Sequence, residues 1–236
     1  MLVLISDTHL TDGSSGETIN SDAFAIFRKQ LSNLAYAASF RADHSYRPIE
    51  RLHLVLLGDI LDVIRSSGWL TNGSTVRPWT DVGNPAFAQK VGAITQTILK
   101  HNAGSLAILK SLSRDQRVTV PKTAKPQVTA SGERVMVLGD PVPVEVLTYY
   151  QVGNHDWFYH LPGPAFDAIR SAIVDAMGLV NDPNEPFPYD PPEFAALATA
   201  YRQHSVWARH GDLYDPFNFE GDRNASSLGD AIVVRC

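Results

Sequence analysis

The segment VLTYYQVGNHD, residues 146–156, places a run of apolar and aromatic residues directly before three adjacent polar side chains. The apolar run is typical of a buried strand, and Gly153 alone is sufficient for the turn that ends it. Asn154, His155 and Asp156 therefore exceed what folding requires here, and each carries a group that can bind a metal or exchange a proton. The same arrangement elsewhere in the chain would indicate a shared site.

Three other apolar runs end in similar residues. They are MLVLIS (1–6), RLHLVLLGD (51–59) and SVWARHGD (205–212), and the last of them resembles a fourth strand. The polar residues in or directly after these runs are Asp7, His9, Asp59, Asp62, His210 and Asp212. Each short motif alone is common at turns and helix caps, whereas the ordered set of strand ends is a specific signal.

Helical patterns separate these runs. Apolar residues at helical spacing predict a helix over 21–40 with Ser21 as its N-cap. A second helix begins at Pro85, and its apolar pattern continues towards Leu112. Alternation of strands and helices predicts an α/β fold with partly parallel sheets, in which sites form at the carboxyl ends of the strands.

Three segments interrupt the alternation. Residues 66–84 are rich in Gly, Ser and Thr and are predicted to form a loop, and residues 115–145 are predicted to form a hairpin with ERVMVLGD as its clearest strand. Residues 181–192 hold five prolines and are predicted to be a connector or lid, ordered by Phe187 and Tyr189. We expect a single domain over 1–236 with an excursion at about 66–145.

Composition narrows the class of protein. The 236 residues are 44% hydrophobic, which is ordinary for a globular protein. The net charge of −5 gives no electrostatic reason to expect a nucleic-acid partner. No apolar stretch reaches the length of a membrane span. The single cysteine, Cys236, allows no internal disulfide, and the N-terminus lacks the features of a secretory signal. A cytoplasmic protein is the expectation.

The ordered set favours two metal ions. A pair of cations about 3.5–4 Å apart stabilises both the attacking and the leaving oxygen of a phosphoryl displacement, and lowers the pKa of bound water from about 15.7 towards about 7. Holding two cations so close requires an anionic bridge, which a carboxylate such as Asp59 can supply. Mixed Asp, His and Asn ligands suit Mn, Fe, Zn or Co.

The set resembles the calcineurin-like metallophosphoesterase superfamily, whose blocks are D-x-H, G-D-x-x-D, G-N-H-D/E, H and G-H-x-H. The resemblance spans residues 5 to 212 and implies a layered α/β/β/α sandwich with mixed, partly parallel sheets. It also implies two divalent metal ions, of which Mn is the first expectation and Fe, Zn, Co or Ni the others. The metal ligands carried over by the resemblance are Asp7 and His9 for the first metal, Asp59 as the bridge, and Asn154 and His210 for the second.

The resemblance further implies a reaction. His155 would protonate the leaving-group oxygen, with Asp62 as its partner carboxylate, while Asp156 and Asp212 would hold the ligands in place. The expected activity is hydrolysis of a phosphate mono- or diester by a metal-activated hydroxide. Val63 follows Asp62 where the Ser/Thr protein phosphatases have Arg-Gly, and the HGD block resembles the branch that includes UDP-diacylglucosamine pyrophosphatases. A small phosphoester or nucleotide-linked substrate is therefore favoured.

The chain departs from the superfamily at its C-terminal end. No G-H-x-H block follows His210, so each cation keeps only three protein ligands when Asp59 is counted for both. We expect the sequence to be a fragment that lacks this block, and a chain truncated in this way can be inactive for lack of ligands. One alternative is a metal-dependent nuclease on the same scaffold, which the absence of a basic stripe disfavours. The other is a non-catalytic binding module with a decayed site, which the presence of His155 and Asp62 disfavours.

Overall fold

The computed structural model describes residues 1–16, 19–71 and 73–235, so that Cys236 lies outside the described residues. The strands are β1 (Leu2–Ile5), β2 (Arg51–Leu57), β3 (Thr119–Pro121), β4 (Ala124–Val128), β5 (Arg134–Leu138), β6 (Pro141–Pro143) and β7 (Glu145–Gln151). The helices are α1 (Ser21–Ala38), α2 (Pro85–His101), α3 (Ala103–Arg114), α4 (Pro164–Met177), α5 (Ala195–Gln203) and α6 (Leu228–Arg235). The predicted α/β class with parallel strands is confirmed.

The main sheet has three strands in the order β1-β2-β7, all parallel. Val55 at the centre of β2 pairs with Leu4 on one side and Tyr149 on the other. Both faces of β2 are covered, which explains why its sequence is an almost continuous apolar run. All three strands therefore end at the same edge of the sheet.

Helices cover the two faces of this sheet unequally. Helices α1 to α4 pack with Leu52, Leu54 and Leu56 of β2 in the larger core. On the opposite face, Val55 and Tyr149 pack against residues of α5 in a smaller cluster. The remaining strands form two antiparallel pairs, β3 with β6 and β4 with β5, which is the hairpin excursion predicted over 115–145.

Two details of the helices correct the sequence predictions. The cap of α1 is Asn20 and not Ser21, because the Asn20 side-chain oxygen accepts the backbone N–H groups of Asp22 and Ala23. The apolar pattern from Pro85 towards Leu112 forms two helices and not one. The break is at Asn102, whose side-chain amide donates to the carbonyls of Ile98 and Thr11 and so ties the end of α2 to the loop after β1.

The run at residues 205–212 is not a fourth strand, which is the larger correction. Residues 206–210 have no regular secondary structure, and Trp207 is exposed. The segment is linked to β7 by a side chain in place of a backbone ladder: Gln151 Nε2 donates to the carbonyl of Ala208 at 3.3 Å. His210 therefore reaches the edge of the sheet from a coil segment.

The proline-rich segment behaves as predicted for a connector. Residues 181–190 hold no helix or strand, and a 3₁₀ turn follows at Pro191–Glu193. Phe187 and Tyr189 are both buried and order the segment. The predicted loop at 66–84 contains one 3₁₀ turn, Ser67–Leu70, in its described part. None of the described helices is both long enough and apolar enough to cross a membrane.

Candidate metal centre

Backbone hydrogen bonds hold the segments after β1 and β2 side by side beyond the ends of the strands. The Asp7 N–H donates to the Gly58 carbonyl at 3.1 Å, and the His9 N–H donates to the Asp59 carbonyl at 2.9 Å. The Gly58 N–H in turn donates to the Gln151 carbonyl at the end of β7. The residues that follow the three strands are thus placed together by the parallel sheet itself.

Three of these residues have left-handed backbone conformations that favour glycine. The φ angles are 55° at Asp7, 45° at His9 and 55° at Asp59. Such a conformation costs about 1–3 kcal/mol at a residue with a side chain, and it persists only where the surroundings enforce it. Strain of this kind concentrates at functional sites, and here it coincides with three predicted ligands.

Gly153 permits the closest approach in the site. A Cβ atom at this position would lie 2.9 Å from the Asp59 backbone nitrogen and 2.9 Å from His210 Nδ1. A side chain there would push the loop after β7 away from both neighbours. The glycine of the GNHD sequence is therefore required for packing at the site, in addition to its role in the turn.

Asp62 holds two histidines with one carboxylate. Its Oδ2 lies 2.8 Å from His9 Nδ1, and its Oδ1 lies 2.8 Å from His155 Nδ1. The Asp62 side chain is fully buried. An ionised carboxylate only accepts hydrogen bonds, so each ring donates through its Nδ1–H and presents Nε2 to the site.

The pKa values of this cluster follow from burial and pairing. Burial raises the pKa of Asp62, but the hydrogen bonds from His155 and His9 lower it by more, so that the pKa lies well below its ordinary value. For His155, burial lowers the pKa, but the hydrogen bond to Asp62 and the charges of Asp62 and Asp59 outweigh it. The pKa of His155 is therefore raised, which favours a protonated ring.

Asp59 is shared by two groups of metal-capable side chains. One group is His9, Asp59 and His155, and the other is Asp7, Asp59 and His210; the ligand atoms within each group lie within 4.8 Å of one another. His9 Nε2 is also 3.8 Å from Asp59 Oδ2 and 3.9 Å from Asp7 Oδ1. Asp59 is thus the carboxylate common to both groups.

His210 approaches the same carboxylates from the coil segment. Its Nε2 lies 3.5 Å from Asp7 Oδ1 and 3.7 Å from Asp59 Oδ2. Burial lowers the pKa of His210, but its close contact with Asp212 and the charges of Asp59 and Asp212 raise it to about 9. The contact to Asp212 is 3.4 Å long, and neither His210 Nδ1 nor Asp212 Oδ1 has a hydrogen bond of good geometry within the described residues.

Asn154 and Asp156 occupy different positions in the loop after β7. Asn154 lines the cavity, is 8% exposed, and its side-chain amide has no hydrogen-bond partner in the described part of the chain. Asp156 lies beneath the site, where it accepts hydrogen bonds from the backbone N–H groups of Gly153 and Ile60 and from the Tyr150 hydroxyl. Burial, followed by the charge of Asp59, raises the pKa of Asp156 to about 6.

The side chains converge on an open cavity of about 460 Å³ at the carboxyl edge of the sheet. The predicted residues that line it are Asp7, His9, Asp59, Asn154, His155, His210 and Asp212, whereas Asp62 and Asp156 lie behind this lining. Among the other lining residues are four charged or amide side chains that the sequence analysis did not identify: Arg65, Arg209, Asp215 and Asn218. Arg65 follows Asp62 by one turn and could have been noticed; Asp215 and Asn218 carry no recognisable signal.

Two further histidines and the aromatic residues that follow GNHD take structural positions. His53 is buried in β2, with Nδ1 3.0 Å from the Tyr149 hydroxyl. His160 Nδ1 lies 2.9 Å from the Phe187 carbonyl, to which it donates in the neutral ring. The aromatic residues that follow GNHD, Trp157 to Tyr159, are all buried in the core.

The donor set fits a pair of divalent cations. Carboxylates, imidazoles and one amide converge, and Asp59 is shared by both groups. The Asn154 amide lines the cavity and has no hydrogen-bond partner among the described residues. Such mixed N and O ligands suit Mn, Fe, Zn, Co or Ni. Comparison with models of protein families, with curated proteins and with solved structures finds no match for this chain.

Proposed function

We propose that this chain is a metal-dependent phosphoesterase of the calcineurin-like kind, which hydrolyses a phosphate mono- or diester at a dinuclear site. The observation that carries the proposal is the Asp59 carboxylate, which belongs to both groups of metal-capable side chains. A second supporting observation is the Asp62 carboxylate, which fixes two imidazoles with their Nε2 atoms turned to the cavity. A fold alone does not imply a function, so the proposal depends on these contacts.

Asp7, His9, Asp59, Asn154 and His210 would hold the ions, with Asp59 between them. Bound there, two divalent cations supply a water of lowered pKa and neutralise charge on the phosphoryl oxygens. Manganese is the first expectation for both positions. The buried Asp156 holds the loop that carries Asn154 by accepting from Gly153 and Ile60, and so keeps the ligand in position.

His155 would act as the general acid. Hydrolysis adds water across the P–O bond to the leaving group, and the departing oxygen takes a proton, which His155 Nε2–H would donate. The hydrogen bond from Nδ1 to Asp62 at 2.8 Å stabilises the protonated ring and fixes its orientation. The Asp62 hydrogen bond and charge raise the pKa of His155, which favours the protonated ring that a general acid requires.

Metal analysis and a hydrolysis assay on one preparation test the proposal. The protein is stripped with a chelator, restored with Mn²⁺, and assayed with p-nitrophenyl phosphate and bis-p-nitrophenyl phosphate. We expect about two ions per chain and hydrolysis that disappears on chelation and returns with the metal. Full ion occupancy without hydrolysis of either compound would contradict the enzymatic role, and absence of bound metal would contradict the site itself.

A further inference from the structure

Arg65 is a cationic side chain at the edge of the cavity that the proposed mechanism does not use. It follows Asp62 by one turn, and its backbone N–H donates to Asp62 Oδ1 at 3.0 Å. Its Nε lies 3.4 Å from Asp62 Oδ2. The buried Asp62 carboxylate therefore contacts three groups: the imidazoles of His9 and His155 and the guanidinium of Arg65.

The outer edge of the Arg65 guanidinium is available to a ligand. Only Nε contacts Asp62, while Nη1 and Nη2 have no protein partner within the described residues, and the side chain is 39% exposed. The same cavity is lined by Asp7, Asn154 and His155. Arg65 thus presents two N–H-bearing nitrogens to the space in which a phosphoryl group on the proposed ions would lie.

Arg209, the other arginine of the cavity, is in a different situation. Its Nε lies 3.2 Å from Asp190, a carboxylate of the proline-rich connector, and it neighbours His210. Arg65 instead shares its carboxylate with His155, the proposed proton donor. Of the two arginines, Arg65 is therefore the one that shares a carboxylate with the proposed proton donor.

We propose that Arg65 binds a terminal phosphoryl oxygen and makes this site selective for phosphate monoesters. This inference rests on the proposed function. A monoester dianion has three terminal oxygens and a diester monoanion has two, so a dinuclear site that takes two oxygens leaves the third to another donor. A guanidinium edge matches that oxygen in charge and geometry, since paired N–H donors bind phosphate oxygens strongly.

Binding of two non-reacting anions tests this without relying on turnover. Inorganic phosphate stands for the monoester and dimethyl phosphate for the diester, and titration calorimetry on the Mn²⁺-loaded chain measures both. We expect Arg65→Gln to weaken phosphate binding by about tenfold or more and dimethyl phosphate binding by less than about threefold. Arg65→Lys, which keeps the charge without the planar edge, should lie between the wild type and Arg65→Gln.

The matched control is Arg51→Gln. Arg51 is also paired through Nε with a carboxylate, Glu145, at 2.6 Å, but it lies outside the cavity. This control should leave both affinities unchanged, and ion content should be the same in all variants. Kinetics on the two nitrophenyl esters should repeat the pattern, with the loss for the monoester mainly in KM.

Several results would overturn the inference. They are no detectable phosphate binding by the wild type, equal losses for the two anions in Arg65→Gln, or a selective loss in Arg209→Gln and not in Arg65→Gln. A wild type that binds Mn²⁺ and hydrolyses only diesters would refute the selectivity while leaving the proposed function intact. Failure of the proposed function is recognised separately, because it appears in the wild type as missing metal or missing hydrolysis of both esters.

Discussion

The two halves of the candidate site are built in different ways. The strand-end half, which comprises Asp7, His9, Asp59, Asp62, Asn154 and His155, follows three parallel strands and is joined by backbone hydrogen bonds beyond their ends. The His210 half, residues 209–218, is coil and one 3₁₀ turn, Asp212–Tyr214. In the first half a buried carboxylate fixes two imidazoles at 2.8 Å. In the second, the His210–Asp212 contact is 3.4 Å.

This difference indicates where the site is preorganised. The strand-end half keeps its geometry through protein contacts alone, including three strained backbone positions that the sheet enforces. In the His210 half, His210 Nδ1 and Asp212 Oδ1 lack good hydrogen bonds within the described residues, so protein contacts fix this half less firmly. We therefore expect substitutions in the strand-end half to affect chemistry and stability, and those in the His210 half to affect mainly ion affinity.

The largest effect is expected from Asp59→Asn, because this carboxylate serves both ion positions. Asparagine tolerates the left-handed backbone and can still accept the His155 N–H, so the fold should be retained. Both ions should be lost together, and kcat should fall by about 10⁴-fold or more. Metal analysis by mass spectrometry alongside hydrolysis rates checks this; a variant that keeps both ions would refute the bridge.

His155→Ala should separate chemistry from ion binding within the strand-end half. We expect kcat to fall by about 10²–10³-fold with ion content unchanged, because the ring is proposed to donate a proton. The pKa of His155 is raised, so wild-type activity should fall as pH rises through that value. This alkaline decline should disappear in the variant, as a pH profile of kcat would show.

A histidine outside the cavity provides the control for this change. His160 lies five residues later and contacts the Phe187 carbonyl, so His160→Gln should leave both turnover and ion content near wild type. Loss of bound metal in His155→Ala would instead make this ring a ligand. His155 lies close enough to His9 and Asp59 to share an ion with them. The ion content of His155→Ala therefore decides whether this ring is a proton donor or a metal ligand.

Gly153→Ala should push the two halves apart. The added Cβ would lie 2.9 Å from the Asp59 nitrogen and from His210 Nδ1, which requires a backbone shift. We expect a loss of about 1–3 kcal/mol in the free energy of unfolding and weaker Mn²⁺ binding. Gly211→Ala is the matched control, because its added Cβ would have no neighbour within 4 Å; equal effects of the two changes would contradict a contact-specific role.

The strand-end half was predictable from the sequence because parallel strands impose a simple rule. Their carboxyl ends meet at one edge, so Asp7, Asp59 and Asn154, which are distant in sequence, had to be neighbours. Apolar runs predicted β1, β2 and β7, since β2 is buried on both faces. Strand pairing alone was sufficient to predict that these residues lie close together.

The His210 half was predicted only in part, for a physical reason. The run at 205–212 ends in a histidine like the others, but Val206 and Ala208 do not make ladder hydrogen bonds, and side-chain contacts place the segment. Such contacts depend on partners such as Gln151 that no local pattern reveals. The same holds for Asp215 and Asn218, which line the cavity only because the coil folds over it.

The smallest expected effect gives the most direct comparison of the two halves, because it is measured without metal. In chelator, His9→Gln should lower the free energy of unfolding by about 1–2 kcal/mol, since it removes a hydrogen bond from the buried Asp62 carboxylate. His9→Asn should recover part of this loss, because its amide nitrogen takes the place of Nδ1. The variants are compared at about pH 10, because below its raised pKa of about 9 the protonated His210 is also stabilised by the charges of Asp59 and Asp212. At this pH His210→Gln should change the free energy of unfolding by no more than about 0.5 kcal/mol, as its ring has no hydrogen bond of good geometry at Nδ1. Urea denaturation of the three variants measures these differences. If His210→Gln were as destabilising as His9→Gln, the two halves would be equally preorganised and the contrast between them would fail.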